Sequence, residues 1–287
     1  MKKIIFFLIA VCAAFTLPAG EAQKIMLYPP DHPEIDGEKF APYMLLYPAD
    51  AGRGTVLILP GGGYRARASA REGVQVAEKF QELGFNTAVL EYRVAPSRYP
   101  APQRDVLRAI KLLRANASKW RIDPDHIAVL GFSAGGHLAG CAGVLYDRIE
   151  VKAGDEADAA SARPDAMILC YPVISLADDF AHRGSGQNLL GENATPGNLK
   201  KLSLQHLVNQ NTPPAFLWHT ATDNSVPAQN SIVFAQAMWE KKLTAELHIF
   251  TTGNHGKDLA KKLPTAWQWP QMAARFLVEV ARFPAGK

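Results

Sequence analysis

The chain has 287 residues, of which 48% are hydrophobic and 20% charged, and its formal net charge at pH 7 is +4. This composition excludes a long disordered chain, a collagen-like repeat and a polytopic membrane protein. Lys and Arg form no basic stripe with interleaved aromatic residues, so nucleic-acid binding is not expected. The length suits one large domain with enough apolar surface to build a core.

Residues 1–22 have the pattern of a secretory signal peptide. Two lysines precede an almost unbroken apolar stretch over residues 4–17, and small residues follow up to Ala22, where we expect cleavage. An uncleaved membrane anchor is the alternative, although the stretch is shorter than the ~20 residues of a spanning helix. We therefore predict an exported chain of residues 23–287, periplasmic or secreted, without stable membrane insertion after cleavage.

The rest of the chain alternates short β-rich runs with amphipathic stretches. We predict strands over 55–59, 86–92, 127–131, 166–170, 215–218 and 245–250. Apolar residues at helical spacing predict helices over 70–83, 99–115, 133–145, 227–241 and 263–280. Continuous apolar strands between such helices indicate the α/β class, with a mostly parallel sheet covered by helices on both faces.

A G-x-S-x-G pattern, Gly131-Phe132-Ser133-Ala134-Gly135, stands between a predicted strand and a predicted helix. A nucleophilic serine needs a tight turn that lifts its hydroxyl clear of the sheet, and flanking glycines let neighbouring backbone pass close by. The following helix directs its first amides toward the reacting oxygen. Ser133 is therefore the predicted nucleophile, and the alternative is a serine that only caps the helix.

A second glycine-rich segment, Pro60-Gly61-Gly62-Gly63-Tyr64, directly follows the first predicted strand. Consecutive glycines allow the backbone to turn N–H donors toward an oxyanion that develops during acyl transfer. A phosphate-binding loop does not fit, because neither Gly-Lys-Ser/Thr nor G-x-G-x-x-G follows. We predict an oxyanion hole formed by the amides of Ala134 and of Gly62 or Gly63, with Tyr64 as a candidate substrate contact.

A catalytic serine also needs a base and a carboxylate that orients the base. In this architecture the acid and then the histidine follow the serine along the chain. Asp223 lies in a loop after a predicted strand, and His255 lies in a glycine-flanked loop after the next one, whereas His248 falls inside a strand. We predict His255 as the base and Asp223 as the acid, with Asp178 and Asp179 as alternative acids.

Residues 172–212 break the strand–helix alternation and are rich in Gly, Pro and Asn. We interpret them as an insertion over one end of the sheet near the active site, and His182 within them is a candidate substrate contact. No internal repeat or linker divides residues 23–287, which predicts a single catalytic domain. Cysteine and histidine spacing matches no zinc site, and we expect neither metal nor cofactor.

Motifs along nearly all of the chain after residue 22 resemble, in order and spacing, the α/β-hydrolase esterases related to acetylxylan esterases. That group includes proteins often labelled endo-xylanase-like and bifunctional acetyl and feruloyl esterases of gut bacteria. The motifs that carry the resemblance are Leu59–Tyr64, Glu72-Gly73, Glu91–Arg93, Tyr99–Pro102, Trp120–Pro124, Gly131–Leu138, Tyr171–Ser175, Asn188–Gly191 and His219–Pro227.

The resemblance implies the α/β-hydrolase fold and a secreted or periplasmic serine esterase for acetyl, or also feruloyl, groups on plant polysaccharide fragments. It also implies Ser133, Asp223 and His255 as the triad. The family usually has an aromatic residue and a glycine after Gly-Gly-His-Gly, but Lys257-Asp258 follow His255 here. This departure leaves the acyl and sugar preference open.

Other functions compete with this interpretation. A short-chain carboxylesterase or a peptidase that does not act on carbohydrate would use the same triad. An inactive carbohydrate-binding module could retain the scaffold. A glycosidase is not expected, because that chemistry needs two carboxylates across one cleft and no such pair stands at the predicted strand ends.

Overall fold

The computed structural model describes residues 22–49 and 53–284. The predicted signal peptide therefore lies outside the described residues, except for Ala22. Among the helices of the described ranges, none is both long and apolar enough to cross a membrane.

The described residues form one eight-stranded sheet with the order β1-β2-β4-β3-β5-β6-β7-β8. Strands β3 to β8 run parallel, while β1 and β2 add an antiparallel edge. The mostly parallel sheet confirms the predicted α/β fold. The strands are β1 (Gln23–Met26), β2 (Tyr43–Tyr47), β3 (Arg53–Leu59), β4 (Asn86–Glu91), β5 (Ile122–Phe132), β6 (Ala166–Cys170), β7 (Ala215–Thr220) and β8 (Ala245–Phe250).

Helices cover both faces of this sheet. Consecutive side chains of a buried strand therefore pack into two separate cores, one on each face. Leu57 packs in one core together with α2, α4 and α7, and the next residue, Ile58, packs in the other with α1 and α8. The α-helices are α1 (Gln75–Glu82), α2 (Ala101–Ala115), α3 (Ala117–Trp120), α4 (Ala134–Val144), α5 (Arg183–Leu190), α6 (Pro196–Lys201), α7 (Gln229–Glu240) and α8 (Trp269–Glu279).

All the predicted strands and helices are present, but several ends differ. The helix predicted over 263–280 begins only at Trp269, after a 3-10 turn at Ala266–Gln268. Pro264 disfavours helix at the residue before it, and Pro270 is accepted in the first turn of α8. The sequence analysis missed β1 and β2, which are short and only half buried.

The carboxyl ends of the parallel strands meet at one edge of the sheet, where α/β proteins bind their ligands. The glycine-rich segment follows β3, Ser133 follows β5 and Tyr171 follows β6. Asp223 and His255 follow β7 and β8. This topology gathers the predicted catalytic side chains at a single edge.

Candidate active site

Ser133 occupies a tight turn between β5 and α4. Its φ of 54° and ψ of −118° form a strained conformation for a residue with a side chain. The Ser133 amide donates to the Cys170 carbonyl at 3.0 Å, and the Ser133 carbonyl accepts from the amides of His137 and Val173 at 3.1 and 3.0 Å. These three hydrogen bonds hold the strained turn in place.

The glycines on either side of Ser133 are required by close packing of the backbone. A Cβ on Gly131 would lie 2.1 Å from the carbonyl oxygen of Gly135. A Cβ on Gly135 would lie 2.2 Å from the carbonyl oxygen of Leu59, at the end of β3. The G-x-S-x-G pattern therefore brings the serine turn directly against the start of the glycine-rich segment.

The structure brings Ser133, His255 and Asp223 into one hydrogen-bonded line. Ser133 Oγ lies 2.8 Å from His255 Nε2, and His255 Nδ1 lies 2.6 Å from Asp223 Oδ2. The side chain of His255 is 21% exposed and that of Asp223 is 1% exposed. These distances are within the reach that a nucleophile, a base and an orienting carboxylate require.

Asp223 is held by more than its contact with His255. Its Oδ1 accepts the amides of Ser225 and Val226 at 2.9 and 3.0 Å, and its Oδ2 lies 3.5 Å from Nε2 of His219. Burial acts to raise the pKa of Asp223, but the two histidines and the Val226 amide outweigh it and hold that pKa well below its usual value. The carboxylate therefore stays ionised and favours the imidazole tautomer with a proton on Nδ1.

The predicted oxyanion-hole amides flank the serine turn. Gly62 and Gly63 have φ values of 142° and 63°, and a Cβ on Gly62 would lie 2.1 Å from the carbonyl oxygen of Ala66. Among the described residues, no acceptor is found for the amides of Gly62, Gly63 and Ala134. Such unused, fixed donors at the end of β3 and the start of α4 fit the requirement for an oxyanion hole.

The Tyr64 side chain lies in the core, which does not favour the substrate contact expected from the sequence. Its side chain is buried with 1% relative exposure, and its hydroxyl lies 2.9 Å from His137 Nδ1. His137 Nε2 lies 2.9 Å from the Leu202 carbonyl, so Nε2–H donates there and Nδ1 accepts the tyrosine proton. Because Tyr64 follows two glycines with positive φ and has φ of 57° itself, the segment turns back into the core at this residue.

His182 lies beside the glycine-rich segment. It caps α5, and its Nδ1 accepts the Ser185 amide at 3.2 Å and lies 2.8 Å from the Ser185 hydroxyl. A Cβ on Gly63 would lie 3.9 Å from His182 Cε1, and the Asn188 side chain donates to the Gly63 carbonyl at 2.8 Å. Burial, and then the nearby His255, lower the pKa of His182. Residues 172–212 thus reach the active site through α5.

Sequence reasoning assigned no role to Glu72, which the structure places below the glycine-rich segment. Its side chain is buried, its Oε2 accepts the Gly61 amide at 2.8 Å, and its Oε1 accepts the Tyr171 hydroxyl at 2.8 Å. Burial raises the pKa of Glu72, although both hydrogen bonds oppose that shift. The available signal was the Glu72-Gly73 motif, which contributed to the family resemblance without a role of its own.

Asp178 and His248, two other candidates raised by the sequence, have side-chain hydrogen-bond partners outside the triad. Asp178 Oδ2 accepts the Gln205 side chain at 2.8 Å, and His248 Nε2 lies 2.6 Å from Glu246 Oε1 on β8. Cys141 and Cys170 are free and buried, and burial raises the pKa of Cys141 to about 12. The described ranges contain no group of three or more His, Cys, Asp or Glu residues arranged to hold a metal ion.

The profile of the BD-FAE family matches residues 46–238 of this chain. Among solved structures, the acetyl ester-xyloside bifunctional hydrolase from Caldicellulosiruptor lactoaceticus superposes with a TM-score of 0.86 and 40% identity, covering 92% of this chain and 98% of that one. The carboxylesterase Cest-2923 from Lactobacillus plantarum gives a TM-score of 0.75 and 27% identity, covering 93% of this chain and 100% of that one.

Two curated relatives are longer than this chain. Endo-1,4-beta-xylanase B of Butyrivibrio fibrisolvens is 38% identical over 222 residues, 76% of this chain and 34% of the relative. The acetylxylan esterase of Xylanibacter ruminicola is 30% identical over 260 residues, 89% of this chain and 50% of the relative. The chain thus spans a third to a half of the length of these relatives.

Fold and structural neighbours together define an α/β-hydrolase. Within that class the chain belongs to the BD-FAE family.

Proposed function

We propose that this chain is a serine esterase that removes acetyl groups from carbohydrate, with acetylated xylan fragments as the substrate class. The observation that carries the proposal is the line of contacts from Ser133 Oγ to His255 Nε2 at 2.8 Å and from His255 Nδ1 to Asp223 Oδ2 at 2.6 Å. Relatives named acetylxylan esterase and acetyl ester-xyloside bifunctional hydrolase support the acyl group and the carbohydrate. Feruloyl esters are the second acyl class to be tested.

The first half of the reaction transfers the acyl group to the enzyme. Ser133 Oγ attacks the ester carbonyl while His255 Nε2 takes its proton, and the ionised Asp223 stabilises the imidazolium that results. The carbonyl oxygen becomes an oxyanion that accepts hydrogen bonds from the amides of Ala134 and of Gly62 or Gly63. The C–O bond to the sugar then breaks, and His255 returns the proton to the leaving alcohol.

The second half regenerates the free serine. Water attacks the acyl-enzyme carbonyl as His255 removes one of its protons, and the same amides stabilise the second tetrahedral oxyanion. The bond to Ser133 breaks, acetate leaves, and the proton passes from His255 back to Ser133. The cycle consumes one water and releases one sugar hydroxyl and one acetic acid, which ionises in solution.

His182 supplies a hydrogen-bond donor to the bound substrate. The Ser185 amide and hydroxyl both direct hydrogen toward Nδ1, which fixes the neutral tautomer with its proton on Nε2. The lowered pKa of His182 keeps this ring neutral at pH 7. We propose that Nε2–H binds an oxygen of the sugar or of the ester, which the position of the ring beside Gly63 supports.

We propose that the chain acts after export, and the signal-peptide pattern in residues 1–22 supports this. Fractionation of cells that express the full chain tests this part of the proposal. Protein recovered from the periplasm or medium should begin at residue 23 by N-terminal sequencing. Full-length protein retained inside the cell would contradict it.

Acetate release from acetylated xylo-oligosaccharides tests the proposed activity, with methyl ferulate, p-nitrophenyl acetate and a peptide substrate run in parallel. Ser133→Ala should retain less than about a thousandth of the wild-type rate. Ser118→Ala, an exposed serine on α3, is the matched control and should keep full activity.

The substrates separate the competing functions. Hydrolysis of p-nitrophenyl acetate without release of acetate from the sugars would assign a general short-chain carboxylesterase. Cleavage of the peptide would assign a peptidase. A wild-type chain that hydrolyses nothing and resists fluorophosphonate labelling would be a binding module.

A further inference from the structure

One buried carboxylate lies between the two halves of the proposed catalytic machinery. Glu72 accepts the Gly61 amide through one oxygen and the Tyr171 hydroxyl through the other, both at 2.8 Å. Gly61 immediately precedes the predicted oxyanion donors. A Cβ added to Gly61 would itself lie 2.7 Å from Glu72 Oε2 and 3.1 Å from Ser133 Cβ, so no spare volume separates these groups.

The Tyr171 hydroxyl carries the connection onward to the loop of the predicted base. It donates to Glu72 and accepts the backbone amide of Asp258 at 2.9 Å. The Tyr171 ring meets the imidazole of His255 edge-on, with centroids 5.0 Å apart and planes 71° apart. The far side of the same loop is held by Trp269, whose indole N–H donates to the Asp258 carbonyl at 2.9 Å.

Tyr171 holds this position at a cost in backbone energy. Its φ of 36° is positive, a conformation that is unfavourable for a bulky residue. The ring is buried among Phe132, Trp218 and His255. The Tyr171 hydroxyl is bonded both to Glu72, in the helical segment Ser69–Val74, and to the loop that carries His255. A strained residue held in this way is over-determined by its surroundings, as residues that position catalytic groups often are.

We propose that Glu72 and Tyr171 are a pair of positioning residues for the esterase reaction, a role that rests on the function proposed above. Through Gly61 the pair fixes the oxyanion donors, and through Asp258 it fixes the loop that carries His255. Among the described residues, neither side chain hydrogen-bonds to Ser133, His255 or Asp223. The pair sets the distance between the oxyanion hole and the base before substrate arrives, so that neither loop has to reorganise in the transition state.

Tyr171→Phe and Glu72→Gln test the pair, because each keeps its volume and breaks one shared hydrogen-bonded link. We expect each to lower kcat for p-nitrophenyl acetate by about tenfold or more, with KM changed less than threefold. A boronic acid that mimics the tetrahedral intermediate should lose affinity in parallel. The double variant should be no slower than the slower single variant, because both substitutions break the same network.

Tyr28→Phe is the matched control. Tyr28 is equally buried, and its hydroxyl has no hydrogen-bond partner among the described residues. Its removal should leave kcat unchanged. Titration with a fluorophosphonate counts competent active sites, so a variant that folds incompletely is still measured per working site.

The inference is overturned if both single variants keep kcat within threefold of wild type, if the loss appears in KM alone, or if the two losses multiply in the double variant. Failure of the proposed function looks different. In that case the wild-type chain itself hydrolyses no ester and takes up no fluorophosphonate, and the pair has no reaction to position.

Discussion

His137 is expected to make the stability of the fold depend on pH between about 4 and 6.5. The ring is fully buried on α4, where it accepts from the Tyr64 hydroxyl and donates to the Leu202 carbonyl. Burial lowers the pKa of His137 from 6.5 to about 4, and no charged side chain offsets this effect. The native state therefore holds the neutral imidazole, while the unfolded chain takes up a proton near pH 6.5.

The direction in which pH changes the free energy of unfolding follows from proton uptake by the unfolded state. Above pH 6.5 neither state protonates His137, and the free energy of unfolding has its full value. As the pH falls from 6.5 to 4, only the unfolded chain gains the proton, so stability declines. A shift from 6.5 to about 4 corresponds to a loss of about 3 kcal/mol across this window, with no further contribution below it.

Urea unfolding of wild type and His137→Gln at several pH values from 7.5 to 4 measures this loss. The variant should be less stable at pH 7.5, because it loses packing and a hydrogen bond. Its stability should also be less dependent on pH than that of wild type by about 3 kcal/mol, because the other titrating groups are common to both proteins.

Parallel curves for the two proteins would refute this reasoning. NMR titration of the wild-type His137 ring is a second measurement that needs no substitution. A midpoint near 6.5 would show that burial does not disfavour the imidazolium, and the expected loss of stability would then be wrong.

Three further substitutions have defined outcomes. Asp223→Asn should lower kcat on the order of 10⁴-fold at pH 7 with the fold intact, because the amide favours the wrong tautomer of the base; a rate within tenfold of wild type would remove Asp223 from the triad. Gly131→Ala places a Cβ 2.1 Å from a carbonyl oxygen and should cost about 10²-fold or more in kcat by moving the serine turn, as kinetics beside a wild-type control would show. Arg93→Met leaves the buried Asp105 carboxylate without its guanidinium partner and should lower the free energy of unfolding by about 3–5 kcal/mol in urea titrations; an unchanged midpoint would contradict that.

The sequence predicted the parallel core of the fold because those strands are long apolar runs that alternate with amphipathic helices. It also predicted Ser133, Asp223 and His255 as the triad, and the three side chains do lie together because the order of strands and loops places them at the same edge of the sheet. Around Ser133 the backbone packs too closely to admit a Cβ at the flanking positions. Those positions must therefore be glycine, and this requirement is visible in the sequence. These features depend on the chain near each residue.

Other features depend on tertiary contacts that no local pattern records. Tyr64 follows the glycine segment as a substrate contact would, but its direction is set by His137, far along the chain on α4. The role proposed for Glu72 depends on its hydrogen bonds with Gly61 and Tyr171, and Tyr171 is 99 residues away along the chain. Strands β1 and β2 are half buried and short, so each has too few alternating residues for the pattern to distinguish a strand from a loop.

With the roles proposed for His182 and Gly63, the contact between α5 and the glycine-rich segment couples selectivity to turnover. Asn188 of α5 donates to the Gly63 carbonyl. His182, which caps the same helix, lies beside Gly63. Any exchange of this helix that reshapes the proposed contact with the sugar would also shift the proposed oxyanion donor amide of Gly63. Swapping α5 among homologues should therefore move specificity and speed together, and variants selected for a new glycan would need compensating changes around Gly63.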